Sequence, residues 1–175
     1  MLIDSYDQGV IDVLDIYMKD CKDITLVEFG RGNGALAEKY LAEGKKVTII
    51  EDWKQQIYQA DEKYYEQYED ITIKHNVLDT KGWEDIRHRT ELIFCTLPFI
   101  VPHAGTIEED VYQTYLNRAF YELTGLLDRP GRILTVDYNT SQIKQAVKSL
   151  EMDITPLIDQ GNGKHYMASI LNHAN

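Results

Sequence analysis

One junction near the start of the chain restricts the fold more than any other part of the sequence. Residues 26–34 read LVEFGRGNG, an apolar segment that runs into three glycines at alternate positions. Glycine has no Cβ and tolerates positive φ, so such a segment can turn sharply into a helix and approach a ligand closely. Residues 35–41 then have helical apolar spacing, and Val47–Glu51 has the composition of a second strand. The sequence therefore predicts a strand–loop–helix–strand unit that holds a nucleotide-like cofactor.

Two acids flank this unit and bear on which cofactor it holds. Glu51 ends the second strand about 20 residues beyond the glycines, where a carboxylate accepts hydrogen bonds from ribose hydroxyls. The spacing of Gly30, Gly32 and Ala35 fits a dinucleotide site, and it also resembles the first motif of class I S-adenosylmethionine-dependent methyltransferases. Glu28, two residues before the first glycine, favours the second cofactor because its charge would repel a pyrophosphate.

Length, charge and cysteine usage narrow the class of protein. The chain has 175 residues, which predicts a single domain over 1–175. It has no apolar run of about 18 residues and no basic-then-apolar N-terminus, so we expect a cytoplasmic protein without a membrane span. Cys21, Cys95 and the five scattered histidines lack metal-ligand spacing, so no metal site is predicted. The formal net charge of −11 disfavours nucleic acid as a partner; it suits a cationic or amine substrate, or serves solubility alone.

Helical and strand patterns alternate along the chain. The N-terminal segment, 1–22, predicts an amphipathic helix that packs on the domain. Further helices are expected at 35–41, 53–67, 82–89, 108–127 and 141–150, and strands at 24–29, 47–51, 71–75, 91–96, 132–137, 152–158 and 165–171. Turns are expected at Pro130-Gly131 and, between the last two strands, at residues 160–163. Five β–α units that end in a hairpin predict a doubly wound α/β domain.

This order resembles the class I methyltransferase fold, a Rossmann-like fold with seven mostly parallel strands and an antiparallel last strand. The resemblance covers nearly the whole chain and is carried by residues 28–34, 51–53, 75–79 and 127–134. It implies S-adenosylmethionine as the cofactor, with the glycine segment around its methionine and ribose portions, Glu51 on the ribose, and Asp52 and Trp53 beside the adenine. The implied cofactor-binding residues are Glu28, Gly30, Gly32, Gly34, Glu51, Asp52, Trp53, Asn76, Val77 and Thr96.

Two positions depart from the family pattern. Asn76 stands where the family usually has an Asp that accepts from the adenine amino group; an amide oxygen can accept the same bond, and Asp79 is the alternative. Arg132 replaces the second glycine of the family's Leu-x-Pro-Gly-Gly turn.

The segment Thr96-Leu97-Pro98-Phe99 is similar to the Asn/Asp-Pro-Pro-Tyr/Phe loop of amino methyltransferases. The resemblance implies that Thr96 and the Leu97 carbonyl accept hydrogen bonds from a target amine, that Pro98 and Phe99 form a wall, and that His103 serves as base. Thr96 in place of Asn or Asp argues against methylation of a base. The alternative is a loop in which Phe99 only packs and His103 is a surface residue.

The preferred hypothesis is N-methylation of a small-molecule, lipid-headgroup or peptide amine. Three alternatives stay open: a non-catalytic or partner-dependent domain that binds S-adenosylmethionine, an aminopropyltransferase-like alkyl transfer, and a nicotinamide-dependent oxidoreductase. The sequence leaves the acceptor and the oligomeric state undetermined.

Overall fold

The computed structural model describes residues 8–28, 34–51, 66–73, 83–96, 109–137, 140–159 and 167–173. The strands in this part of the chain are β1 (Asp23–Glu28), β2 (Lys46–Glu51), β3 (Thr72–Ile73), β4 (Thr90–Thr96), β5 (Leu127–Asp137), β6 (Met152–Asp159) and β7 (Met167–His173). The helices are α1 (Gln8–Met18), α2 (Gly34–Ala42), α3 (Glu109–Thr124) and α4 (Thr140–Lys148), and a 3-10 turn at Glu69–Ile71 precedes β3.

The strands form one sheet in the order β3-β2-β1-β4-β5-β7-β6. Neighbouring strands from β3 to β5 are parallel, and β7 is antiparallel to both β5 and β6. The predicted doubly wound, mostly parallel sheet with an antiparallel last strand is therefore confirmed. Because the strand order reverses between β1 and β4, that pair forms the switch point outside which ligands of open α/β sheets bind.

Each face of the sheet is covered by a separate apolar layer. Successive residues of a strand point to opposite faces. On one face, Ile24, Leu26 and Phe94 are buried with side chains from α1 and α2, including Leu14 and Tyr40. The other face is buried against α3 and α4, and its strand residues include Val27, Ile93, Cys95 and Ile133. Burial on both faces explains the four consecutive apolar residues, Leu92–Cys95, of β4.

The helix predicted at 82–89 is wrong, because residues 84–89 form successive turns instead. The amides of Ile86 and Arg87 both donate to the Trp83 carbonyl. His88 then adopts a left-handed conformation with φ of 56°. From there the amides of residues 88–90 donate to the carbonyls of Gly125 and Leu126 rather than to a preceding helical turn. These long-range hydrogen bonds lead the chain directly into β4.

The turn predicted at Pro130-Gly131 lies inside β5, which begins at Leu127. Thr90 pairs with Leu127 and Leu92 pairs with Arg132, so residues 128–131 lie opposite Glu91 alone. The extra residues bulge out of the ladder, and α3 accordingly ends at Thr124 rather than at residue 127.

Other boundaries differ by a few residues from those predicted. Strand β3 begins at Thr72 rather than at residue 71, because Ile71 belongs to the 3-10 turn, and residues 74 and 75 lie outside the described residues. The hairpin pairing of β6 with β7 is confirmed, and its turn at 160–163 lies outside the described residues. Most of the helix predicted at 53–67 lies outside them as well. Among the helices of the described segments, none is long and apolar enough to cross a membrane.

A hydrogen-bonded cluster joins α1 to α2. The Tyr40 hydroxyl donates to Asp15 Oδ1 over 3.1 Å, and the Lys39 ammonium pairs with the same oxygen. The Tyr40 side chain is buried, and burial, followed by the charge of Asp15, raises its pKa far above the ordinary value of about 10.

We expect Tyr40 to contribute to alkaline unfolding. The unfolded chain loses the Tyr40 proton above about pH 10 while the folded chain keeps it, so the free energy of unfolding falls by up to about 1.4 kcal/mol per pH unit from this residue. In Tyr40→Phe this contribution is gone, and urea unfolding between about pH 9 and pH 11 should show a shallower slope. Tyr121→Phe, at an exposed position, is the control. Equal slopes in Tyr40→Phe and the parent chain would contradict this expectation.

Candidate functional site

Three of the residues that the sequence nominated lie side by side at one edge of the sheet. Glu28 is the last residue of β1, and its strand partners are Glu51 at the end of β2 and Thr96 at the end of β4. Neighbouring strands are about 4.8 Å apart. The row Glu51–Glu28–Thr96 therefore spans the carboxyl ends of three adjacent strands and includes the switch point between β1 and β4.

The glycine segment connects this edge to α2. Strand β1 ends at Glu28 and α2 begins at Gly34, so the predicted strand–loop–helix arrangement has the expected ends. Helix α2 returns along the sheet with Leu36, Ala37 and Tyr40 buried against it. Its first turn consequently lies at the same edge as Glu28, and the unpaired amides of a helix N-terminus carry a partial positive charge.

The two carboxylates of this row constrain what can bind there. Glu28 and Glu51 are strand partners, so two acidic residues adjoin at this edge. Acidic residues favour a ligand with hydroxyl or N–H donors, or a positive charge, over a pyrophosphate. The row is thus suited to a ligand with ribose hydroxyls and a cationic end.

The remaining nominated residues lie outside the described part of the chain, and their roles stay predictions, as do those of Glu28, Gly34, Glu51 and Thr96. On the cofactor side these are Gly30, Gly32, Asp52, Trp53, Asn76 and Val77. On the acceptor side they are Pro98, Phe99 and His103.

An acid that the sequence prediction passed over lies at the same edge. Strand β5 ends at Asp137, one residue beyond Val136, which is the strand partner of Thr96. Strand β6 likewise ends on an acid, Asp159. The signal was present in the sequence, because Asp137 closes the predicted fifth strand, but the family motifs did not include it.

The cysteines take no part in this edge chemistry. Cys95 is fully buried, and Cys21 donates its Sγ–H to the Tyr17 carbonyl over 3.3 Å. Burial first, and then the negative charge of Glu91, raise the pKa of the Cys21 thiol. Cys21 and Cys95 form no disulfide, and the described residues contain no cluster of side chains that could hold a metal ion.

Neither protein-family models nor curated protein sequences give a match to this chain. Solved structures do resemble it in shape. The 1,6-didemethyltoxoflavin-N1-methyltransferase of Burkholderia thailandensis, which contains its substrate and S-adenosylhomocysteine, superposes with a TM-score of 0.56 at 14% identity, over 99% of this chain and 86% of that one. A proposed caffeoyl-CoA O-methyltransferase of Staphylococcus aureus superposes with a TM-score of 0.59 at 15% identity, over 95% and 84% of the two chains. The chain has the class I methyltransferase fold.

The methyltransferase fold by itself does not name a reaction. A proposed Zn-dependent alcohol dehydrogenase of Rhodobacter sphaeroides also superposes, with a TM-score of 0.58 at 9% identity, over 92% of this chain and 89% of that one. Of the two methyltransferases above, one is an N-methyltransferase and the other a proposed O-methyltransferase. The identity of the acceptor therefore depends on the chemistry of this chain's own residues.

Proposed function

We propose that this chain is an S-adenosylmethionine-dependent methyltransferase built as one domain, residues 1–175, with its N-terminal helix packed on the sheet. The row Glu51–Glu28–Thr96 at the switch point carries the proposal, because it combines a ribose-binding acid, an acid suited to a cationic end, and a polar residue on the acceptor strand. Among the structures of similar shape, the one from Burkholderia thailandensis holds S-adenosylhomocysteine, which supports this choice of cofactor.

Each residue of the row has a distinct task in this proposal. Glu51 accepts hydrogen bonds from the two ribose hydroxyls, as an acid at the end of the second strand does in nucleotide-binding folds. Glu28 lies near the positively charged methionine portion, where its carboxylate is favourable. Gly30, Gly32 and Gly34 bring the backbone close to the cofactor, Asp52 and Trp53 border the adenine, and Asn76 and Val77 complete that side.

Methyl transfer needs positioning more than dedicated catalytic groups. When bound, the cofactor supplies a methyl carbon on a sulfonium; the acceptor's lone pair attacks that carbon, the S–CH₃ bond breaks, and the electron pair stays on sulfur as a neutral thioether. Thr96 and the Leu97 carbonyl orient the acceptor amine by accepting its N–H groups. Pro98 and Phe99 exclude water, and His103 takes the proton that the methylated nitrogen releases.

We propose nitrogen as the target atom, in a small-molecule, lipid-headgroup or peptide amine. The similarity of residues 96–99 to the loop of amino methyltransferases supports this choice. The acids Glu28, Glu51 and Asp137 at the carboxyl edge agree with an acceptor that carries positive charge.

The direct test is isothermal titration of the purified chain with S-adenosylmethionine, S-adenosylhomocysteine and NADH. We expect micromolar binding of the first two and none of NADH. Binding of NADH alone would replace the proposal with a nicotinamide-dependent oxidoreductase. Binding of the sulfonium cofactor without turnover on any amine would favour a non-catalytic or partner-dependent domain, and alkyl rather than methyl transfer from a decarboxylated analogue would favour an aminopropyltransferase-like activity.

We expect Glu51→Ala to weaken binding of S-adenosylhomocysteine by about 1–3 kcal/mol, because a charged acceptor to two hydroxyls is lost. Calorimetry of the parent and variant chains measures this change. Glu38→Ala, which removes an exposed acid in the middle of α2, is the matched control and should leave the dissociation constant unchanged. An unaltered constant in Glu51→Ala would place the ribose elsewhere.

A further inference from the structure

A polar groove lies between α3 and α4 on the outer side of the helical layer. It has a volume of about 660 Å³ and is lined by Asp110, Gln113, Thr114 and Asn117 of α3 and by Gln145 of α4. Gln113 is buried and the other four residues are exposed, whereas the apolar residues of α3, such as Leu116 and Phe120, are buried against the sheet. The volume of the groove is that of an ordinary ligand-binding pocket.

The groove belongs to the part of this layer that is nearest the candidate site. Strands β4 and β5 are parallel, and α3 connects the end of β4 to the start of β5, so α3 begins near the carboxyl edge and runs away from it. Helix α4 follows β5 and begins at the same edge. The lining residues of α3 come from the part of the helix that begins there, so a ligand in the groove extends toward the row Glu51–Glu28–Thr96.

Two hydrogen bonds fix the amide groups in the groove. Gln113 Nε2 donates to Asn117 Oδ1 over 2.9 Å and to the Gln142 carbonyl of α4 over 3.1 Å. A side-chain amide has two N–H donors, so both donors of Gln113 are used and its Oε1 remains as an acceptor. Asn117 accepts through its oxygen and keeps two N–H donors. The pair therefore presents an acceptor and donors in a fixed orientation.

The rest of the lining also forms hydrogen bonds rather than apolar contacts. Thr114 Oγ1 donates to the Asp110 carbonyl over 2.9 Å and retains lone pairs that accept. Gln145 on the facing helix has an amide with both donors and an acceptor. All five lining side chains are polar, and only Asp110 is charged. The groove is thus suited to a ligand with N–H and C=O groups side by side, and not to an acyl chain or a phosphate.

We propose that the groove binds an extended peptide segment of the methyl acceptor. The N–H and C=O of one residue in an extended chain point to the same side, which matches the donor and acceptor of a side-chain amide. From Asp110 to Asn117 the wall formed by α3 is about 10 Å long, the length of about three extended residues. This inference rests on the proposed function and selects a peptide from the three kinds of amine, with the groove holding residues next to the one that is methylated.

The binding test uses the uncharged peptide acetyl-Thr-Val-Thr-Val-Thr-amide, titrated calorimetrically into the full chain. Its control is the same peptide with methylated nitrogens at both valines, which keeps the side chains and lacks two N–H donors. We expect saturable binding of the first peptide and at least tenfold weaker binding of the second. Maltose, a neutral ligand with hydroxyl groups but no amides, should not bind.

Variants of exposed residues locate the binding in the groove. Asn117→Asp keeps the oxygen that accepts from Gln113 and loses both N–H donors, and Gln145→Met removes the amide on the facing helix. We expect the two changes together to weaken peptide binding by about tenfold or more. Gln67→Met, which replaces an exposed glutamine before β3, is the matched control and should change nothing. Melting curves of the variants verify that each is folded.

The role of the peptide as acceptor is tested by methyl transfer. Two longer peptides carry a single lysine, separated by two glycines from the N-terminal or the C-terminal end of the same sequence. We expect transfer to at least one of them with a KM about tenfold or more below that of acetyl-lysine-amide. The variant with Asn117→Asp and Gln145→Met should raise this KM and leave kcat and the KM of acetyl-lysine-amide unchanged.

Equal binding of the peptide and its N-methylated analogue, unchanged binding in the double variant, binding of maltose alone, or no peptide binding to the parent chain would each overturn the groove. Peptide binding without transfer to either lysine, in a chain that binds S-adenosylhomocysteine, would overturn the peptide as the acceptor. Titration of S-adenosylhomocysteine into every variant separates these results from the proposed function. Cofactor binding without peptide binding rejects the groove alone, and peptide binding without cofactor binding rejects the methyltransferase proposal.

Discussion

Gly131→Ala should lower the free energy of unfolding by about 3 kcal/mol, at the upper end of the range for overpacking. A Cβ at Gly131 would lie 2.6 Å from the Asp128 carbonyl oxygen and 3.0 Å from two side-chain atoms of Leu127. The first contact is with backbone, so it cannot be relieved by a change of rotamer. The bulge at residues 128–131 must open, and with it the hydrogen bonds that hold β5 against β4.

Urea unfolding of Gly131→Ala and of Gly125→Ala tests this expectation. A Cβ at Gly125 would meet the Glu122 carbonyl oxygen at 3.2 Å and the mobile end of the Arg87 side chain at 3.5 Å, which requires only a small adjustment. We expect that control to change stability by less than about 1 kcal/mol. An equal loss of unfolding free energy in the two variants would mean that the effect comes from replacing any glycine, and not from the bulge.

The bulge also matters for the proposed acceptor side. Beyond it, β4 and β5 pair without interruption from Leu92 and Arg132 up to Thr96 and Val136. This register decides that Asp137 comes one step past the partner of Thr96.

Lys45→Met should lower the free energy of unfolding by about 2–4 kcal/mol. Lys45 Nζ donates to the carbonyl oxygens of Met18 at 2.7 Å, Cys21 at 2.9 Å and Lys19 at 3.2 Å. These three residues lie at the end of α1 and in the connection to β1. Its side chain is only 8% exposed. Methionine keeps most of the apolar stem but leaves three carbonyls without this donor, and it removes a cation from the negative end of the helix.

The neighbouring lysine is a natural control for this prediction. Lys46 pairs with Asp23 over 3.0 Å, but its side chain is 56% exposed, so Lys46→Met should cost less than about 1 kcal/mol. Thermal or urea unfolding of the two variants measures the difference. If both lysines contribute equally, the end of α1 does not depend on Lys45.

The alternation of strands and helices was predictable because hydrophobic periodicity is local. Residues 91–96 read as a strand buried on both faces, and the structure places Leu92–Cys95 in the two apolar layers. The hairpin of β6 with β7 was equally visible from its two short apolar segments. The helix at 82–89 failed for the opposite reason, because the amides of His88 and Arg89 donate to the carbonyls of Gly125 and Leu126, far away in the sequence.

The candidate site was likewise only partly predictable from the sequence. The sequence by itself determined that an acid precedes a glycine-rich connection and that a second acid ends the next strand, because both facts depend on residue types at short spacing. It could not show that Thr96 adjoins Glu28, nor that Thr135 pairs with Ser169, because strand order and register are set by contacts between distant segments. Only the tertiary structure decided these neighbours, since each pairing depends on how both apolar faces of the sheet are buried at once.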